Sequence, residues 1–151
     1  MRLLHEVHSE EAPICRGQYH YLREGQPTGQ IETWTMSRLP DDRVVIRADV
    51  DGRQAGMAGD LLAHLVRQSD GRPFQLWLRY FRGEVEASAR YTFERAEVKA
   101  IRQAKDYPRR QEIVEIADGY EVDYHPVIAH EYVWRGYPPH ARGKPWAVPI
   151  F

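Results

Sequence analysis

The chain has 151 residues, with 21 Lys and Arg against 22 Asp and Glu and a formal net charge of −1. That length suits one domain around a single core, so we expect residues 1–151 to form a single domain. The charges alternate in sign and form no basic block, which argues against a nucleic-acid-binding protein. The one local cationic cluster is Arg109 and Arg110 beside Lys105, which we interpret as a solvated corner of the chain rather than a phosphate site.

Cysteine content and hydropathy indicate in which cellular compartment the protein is expected. Cys15 is the only cysteine, so an intrachain disulfide and a zinc site built on thiolates are excluded by count. The first residues lack the apolar run of a secretory signal, and no stretch approaches the roughly 20 apolar residues of a membrane span. We therefore expect a cytoplasmic protein without a membrane span.

The chain from Gly17 to Val50 alternates strand patterns with turn signals. Gly25–Gly29 and Pro40–Asp42 carry the residue types that favour chain reversal. Consecutive strands joined by turns this short pair antiparallel. This part of the sequence therefore predicts a meander.

The segment Leu61–Arg67 allows two interpretations. Its leucines and Val66 have helical spacing after Asp60, a residue type that caps helices. Leu61, Ala63 and Leu65 also alternate, and the Asp70-Gly71 turn that follows is typical of a hairpin. We favour a strand and keep a short helix as the alternative.

The clearest strand pattern covers Glu84–Glu94, where apolar residues alternate with charged and polar ones. Residues 74–81 alternate in the same way, and the glycine in Arg82–Glu84 predicts a reversal between the two strands. Further strands are expected at Ala96–Gln103, Gln111–Ile116 and Tyr120–Tyr124, which makes roughly eight in all.

These elements predict a mainly β protein with at most one short helix. A sheet of so many strands twists and curls, so we expect a strongly curved antiparallel sheet in the form of a β-roll, a half-barrel or a barrel. Bulky groups such as Trp77 lie opposite an already apolar strand face. Such strands are covered on both sides or line a cavity for an apolar ligand.

The order of the strand patterns resembles a known family. A short-turn meander leads to "EVEASARYTFERAEVKAI" and then to "GYEVDYHPVIAHEYVWRGYP", with Val122 and Asp123 running into Pro126. Over about Gly17 to Pro138 this resembles a bacterial family described as glycolipid-binding, which folds as a spiral antiparallel β-roll. The resemblance implies a curved sheet, an apolar concave face and a lipid-like ligand, and it carries over no catalytic residues.

We predict non-enzymatic binding of an apolar or amphiphilic small molecule, lipid or glycolipid-like, in the concave face of the sheet. Arg79 and His125 are expected to anchor a headgroup. The full predicted set of ligand-binding residues is Trp34, Trp77, Arg79, Tyr91, His125, Tyr132 and Trp134. No catalytic residue, metal ligand or cofactor is predicted, because no recognised ligand spacing or catalytic motif is present.

Two other classes of function stay open. Asp123, His125 and Tyr132 would serve proton transfer in a small hydrolase or isomerase. The third class is a homo-oligomeric interaction protein. Prolines make residues 137–151 an extended strap outside the sheet, and its apolar groups would form a lid, cover the core or contact a second subunit in a homodimer.

Overall fold

The structure is a computed structural model that describes residues 1–55 and 59–117, together with Tyr120, Val122, Pro126 and Ile128. Within these ranges one antiparallel sheet of eight strands forms, and each strand pairs with the next along the chain. The strands are β1 (Ala12–Arg23), β2 (Gln26–Arg38), β3 (Val44–Asp51), β4 (Asp60–Arg67), β5 (Pro73–Arg82), β6 (Val85–Phe93), β7 (Glu97–Ala104) and β8 (Arg110–Glu115). The prediction of a mainly β protein with an antiparallel sheet is confirmed.

Two-residue turns join β1 to β2 and β5 to β6. Glu24 and Gly25 both have positive φ, at 52° and 80°, which is the backbone of the turn type that matches the twist of a hairpin. Gly83, with a φ of 58°, begins the turn between β5 and β6. The predicted reversal at Arg82–Glu84 is therefore confirmed.

The segment left open between helix and strand is a strand. Residues 61–67 belong to β4, which pairs with β3 on one side and β5 on the other. In the described residues the ends of the sheet, β1 and β8, do not pair with each other, so the sheet is open. Its strong curvature and the single-domain organisation stay predictions, and most of the strand expected at Tyr120–Tyr124 and the whole strap at 137–151 lie outside the described residues.

The sheet has an apolar face and a polar face. Directly paired residues on neighbouring strands point to the same side, and the register places Met36, Ile46, Leu65 and Leu76 in one row across β2 to β5. The residues between them along each strand point the other way. The second set, the polar face, includes Arg47, Asp49, Asp60 and His64.

One end of the apolar face is filled by a hydrophobic core, which we call the closed end. Val122 and Ile128 pack onto the sheet there and are each 1% exposed. The Ile128 backbone N–H donates to Glu32 Oε1 over 3.0 Å, and the Tyr21 hydroxyl donates to Glu32 Oε2 over 2.8 Å. The closed end consists of Met36, Ile46, Ala48, Ala63, Leu65, Leu76, Phe93, Val98, Val122 and Ile128.

The N-terminal segment, residues 1–11, covers part of the polar face through charged groups. The Arg2 backbone N–H donates to Asp49 Oδ2 over 2.6 Å, and its guanidinium binds both Asp49 and Asp60. Farther along, the Arg47 guanidinium donates both of its terminal nitrogens to Glu11, over 2.6 and 2.7 Å. These bonds tie the N-terminal segment to β3 and β4.

The Glu11 and Arg47 side chains are only 3% and 6% exposed. Burial raises the pKa of Glu11, but the hydrogen bonds and charge of Arg47 and the His8 backbone N–H outweigh it, so the pKa lies below its usual range. The pair is thus a buried salt bridge under the N-terminal segment.

His64 lies beside this pair and is 2% exposed. Its Nε2 accepts the Leu4 backbone N–H over 3.2 Å, which fixes that nitrogen as unprotonated. Burial, with the charges of Arg47 and His5, lowers the pKa of His64 to about 3. The imidazole is therefore neutral at pH 7.

Candidate functional site

The other end of the apolar face holds an open groove of about 520 Å³. Ligand pockets for small organic molecules have volumes of roughly 300 to 1,000 Å³. The groove crosses β4 to β7 and reaches the segment before β8. Its lining on the apolar side is Leu61, Leu78, Tyr80, Ala87, Ala89, Arg102, Ala104, Tyr107, Pro108 and Arg110. We call it the apolar groove.

Side-chain size explains why the described residues do not fill this part of the face. Ala87 pairs directly with Tyr80 and Ala104, and Ala89 pairs with Leu78. Alanine leaves the space above the sheet that a larger apolar residue would fill. At the closed end the same strands carry Phe93 and Val98 instead.

Tyr80 forms one wall of the apolar groove through contact with a glycine. A Cβ atom on Gly59 would lie 2.4 Å from the Tyr80 ring, closer than real Cβ atoms approach any atom. The ring therefore lies directly over the Gly59 backbone. Only glycine permits this position, so residue 59 helps to define the width of the groove.

Two arginines lie side by side at the rim of the groove. Arg102 and Arg110 pair directly across β7 and β8. Arg102 donates from Nε to the Tyr91 hydroxyl over 3.2 Å and forms an ion pair with Glu112. The Tyr91 hydrogen bond, with Glu112 nearby, raises the pKa of Arg102, so its guanidinium stays charged.

Arg110 forms no ion pair with any residue that the structure describes. Among the described residues, two guanidinium groups and one carboxylate, that of Glu112, therefore leave one uncompensated positive charge at the rim. An apolar floor with a cationic rim is the arrangement that accepts a molecule with an apolar body and an anionic end.

The predicted ligand-binding residues are divided between the two faces. Trp34 and Tyr91 lie on the apolar face, where Tyr91 positions Arg102. Trp77 pairs with His64 and Arg79 with Leu62, which places both on the polar face. Arg79 there forms an ion pair with Glu86. Of these four residues, Tyr91 alone lies close to the apolar groove.

Trp34 serves local packing at the far side of the apolar face. Its ring lies over Gly17, where an added Cβ would lie 2.5 Å from the indole, and it stacks on Tyr19 with 6.0 Å between ring centroids. Its indole N–H is buried and has no hydrogen-bond partner in the described part of the chain. The other predicted residues, His125, Tyr132 and Trp134, and the alternative catalytic Asp123, lie outside the described residues.

The predicted ligand-binding set contains neither Arg102 nor Arg110, although β7 carries a signal for Arg102. In "EVKAIRQA", Val98, Ala100, Arg102 and Ala104 fall on the same face by period-two alternation. A charged residue in phase with apolar ones marks a face that meets water or a ligand. Arg110 belongs to the cationic cluster with Arg109 and Lys105, a pattern that we interpret as a solvated corner. Its position beside Arg102 follows only from the pairing of β7 with β8.

Other kinds of site find no support in the residues described. Across residues 1–55 and 59–117 and the four further positions, no group of three or more His, Cys, Asp or Glu is arranged to hold a metal ion. The same residues include no helix with the length and apolar character needed to cross a membrane.

The apolar groove has no counterpart from which a function transfers. No family model, curated protein or solved structure matches this chain. The chemistry of the groove itself is therefore what supports a function.

Proposed function

We propose that the protein binds an anionic amphiphile, such as a lipid or glycolipid with a charged headgroup, in the apolar groove. The observation that carries this proposal is the position of Arg110 at the rim of an alanine-floored groove. The apolar body of the ligand lies on Ala87, Ala89 and Leu78, and its anionic group binds Arg110. Binding involves no covalent chemistry.

The apolar floor supplies affinity and the arginines supply orientation. Each apolar Å² removed from water contributes about 25 cal/mol, so contact with the floor favours long aliphatic chains over small polar molecules. A carboxylate or phosphate at the rim makes a charge-assisted hydrogen bond to Arg110. Arg102 is held by Tyr91 and Glu112 and adds a second positive charge beside it.

This proposal keeps the ligand class expected from the sequence and changes the residues. The resemblance to the glycolipid-binding family agrees with an amphiphilic ligand and stays a prediction. A cytoplasmic location, a bacterial origin and a homodimer likewise stay predictions.

Titration with oleate and with oleyl alcohol tests the apolar groove and the rim separately. We expect oleate to bind saturably at one site. Arg110→Gln should weaken oleate binding about tenfold, as loss of one charged hydrogen bond implies, and leave oleyl alcohol binding unchanged. The matched control is Arg23→Gln, an exposed arginine on β1 that should alter neither.

A groove-filling variant completes the test. Ala87→Phe puts a large ring into the apolar groove and should weaken both ligands by more than about tenfold. Ile113→Phe introduces the same ring on the opposite face of β8, at a side chain that is already 60% exposed, and should change neither. Absence of saturable oleate binding, or equal binding by Ala87→Phe and the parent, would overturn the proposal.

A further inference from the structure

A second groove, of about 400 Å³, lies on the polar face behind the same strands. We call it the polar-face groove. The N-terminal segment forms one wall through Leu4 and His5, and β5 and β6 form the floor with Trp77, Arg79 and Arg90. Arg109 lies at the end next to β8. These residues play no part in the proposed amphiphile binding.

Trp77 is the centre of this groove. The His5 ring meets it edge to face, with 5.1 Å between ring centroids, and the Arg90 guanidinium carbon lies 5.9 Å from the centre of its ring. His5 also contacts the buried His64 at 5.5 Å. Trp77 itself is only half-buried. An aromatic surface with a cation beside it favours planar rings, which stack on tryptophan and on guanidinium planes.

The charge of the polar-face groove is unbalanced. Arg79 is neutralised by Glu86 at 2.7 Å. Arg90 and Arg109 form no ion pair with any residue in the described ranges. Two positive charges are thus left uncompensated, twice the excess at the rim of the apolar groove. A group that carries two negative charges would balance them.

We propose that the polar-face groove binds a planar aromatic compound that carries a dianionic group, such as an aromatic phosphate monoester. The ring stacks beside Trp77, and the phosphate accepts hydrogen bonds from Arg90 and Arg109. A phosphate monoester carries about −1.5 to −2 charges at pH 7 and three acceptor oxygens, which matches two guanidinium donors. Trp77 and Arg90 lie on the opposite face of the sheet from the apolar groove.

Calorimetric titration with three probes tests the proposal: phenyl phosphate, which has the ring and the anion, phenol, which has the ring, and inorganic phosphate, which has the anion. We expect phenyl phosphate to bind at one site at least tenfold more tightly than either of the others. The double variant Arg90→Gln/Arg109→Gln should bind phenyl phosphate at least tenfold more weakly than the parent protein. Arg16→Gln/Arg23→Gln, which removes two exposed arginines of β1, is the matched control and should leave binding unchanged.

Two further variants separate this site from the apolar groove and from general charge. Trp77→Leu should reduce phenyl phosphate binding toward that of inorganic phosphate, and Ala87→Phe should leave it unchanged. If Trp77→Leu does not fold, the arginine variants still test whether phenyl phosphate binds in the polar-face groove. Three results would overturn the proposal: no saturable binding of phenyl phosphate, inorganic phosphate binding just as tightly, or unchanged binding by Arg90→Gln/Arg109→Gln.

Discussion

The apolar groove and the regions that the chain itself covers are built on the same strands but have opposite character. At the closed end, Leu65 and Leu76 pack under Val122 and Ile128 and are almost inaccessible. In the apolar groove, Leu78 is two residues farther along β5 and remains half-buried. The difference arises from the side chains that each strand carries and from Val122 and Ile128, which cover the closed end.

The two carboxylate–arginine pairs show the same contrast. Glu11 and Arg47 are sealed under the N-terminal segment, at 3% and 6% exposure, whereas Glu112 and Arg102 at the rim of the apolar groove are each 47% exposed. Removing one partner of a sealed pair is strongly destabilising, because the other charge is then left buried without a counter-charge. An exposed pair contributes little to stability, because both charges remain in contact with water.

The largest expected effect is on the sealed pair. Glu11→Gln leaves the Arg47 charge buried without a counter-charge, which should cost about 3 to 5 kcal/mol. Glu112→Gln, the same substitution at the rim of the apolar groove, should cost less than about 1 kcal/mol. Urea unfolding of both variants measures this, and equal losses would remove the distinction between covered and open regions.

Leu65 at the closed end and Leu78 in the apolar groove should give the next largest difference in stability when each is replaced by alanine. Leu65→Ala removes a side chain with 0% exposure from the closed end and should destabilise the protein by about 2 to 5 kcal/mol. Leu78→Ala enlarges a groove that is already open and should cost clearly less. Thermal or urea unfolding compares them. A loss from Leu78→Ala as large as that from Leu65→Ala would mean that the groove is closed in solution.

A smaller effect concerns the dependence of stability on pH. His64 has its folded-state pKa lowered to about 3, below the value of about 6.5 in an unfolded chain. Its contribution to stability is therefore complete above pH 6.5 and declines as the pH falls toward 3, because the unfolded chain binds the proton first. Between pH 6.5 and 5.5 this amounts to about 1 kcal/mol.

His64→Gln tests that contribution, since glutamine keeps an acceptor for the Leu4 N–H and does not titrate in this range. We expect the unfolding free energy of the variant to be flatter than that of the parent between pH 6.5 and 5.5. Parallel curves for the two proteins would show that His64 is not buried in its neutral form.

The sequence predicted those parts of the fold that depend on local alternation. The pattern of β6, with Val85, Ala87, Ala89, Tyr91 and Phe93 on one face, is confirmed together with its hairpin partner. Leu61–Arg67 stayed ambiguous because leucine fits both periods, and its pairing with β3 and β5 decides in favour of the strand.

The candidate site was less predictable, because it depends on contacts between distant residues. Leu61 and Arg110 both line the apolar groove although they lie far apart in the sequence, and no local pattern connects them. The sequence prediction placed Trp77 and Tyr91 in the same ligand-binding site. The register pairs Trp77 with Arg90 and Tyr91 with Leu76, so the two residues lie on opposite faces of the sheet. The predicted site consists mainly of aromatic residues, whereas the space above Ala87 and Ala104 arises from small side chains that meet when the strands pair.

The measurement that tests the account most directly is an oleate titration followed by nuclear magnetic resonance of labelled alanine methyl groups. Ala87, Ala89 and Ala104 line the apolar groove, whereas Ala48 and Ala63 lie at the closed end, so the protein contains its own control. We predict that the three groove methyl signals shift together and saturate while the two closed-end signals stay in place. Saturable binding that moves the closed-end signals and not those of the groove would contradict the account.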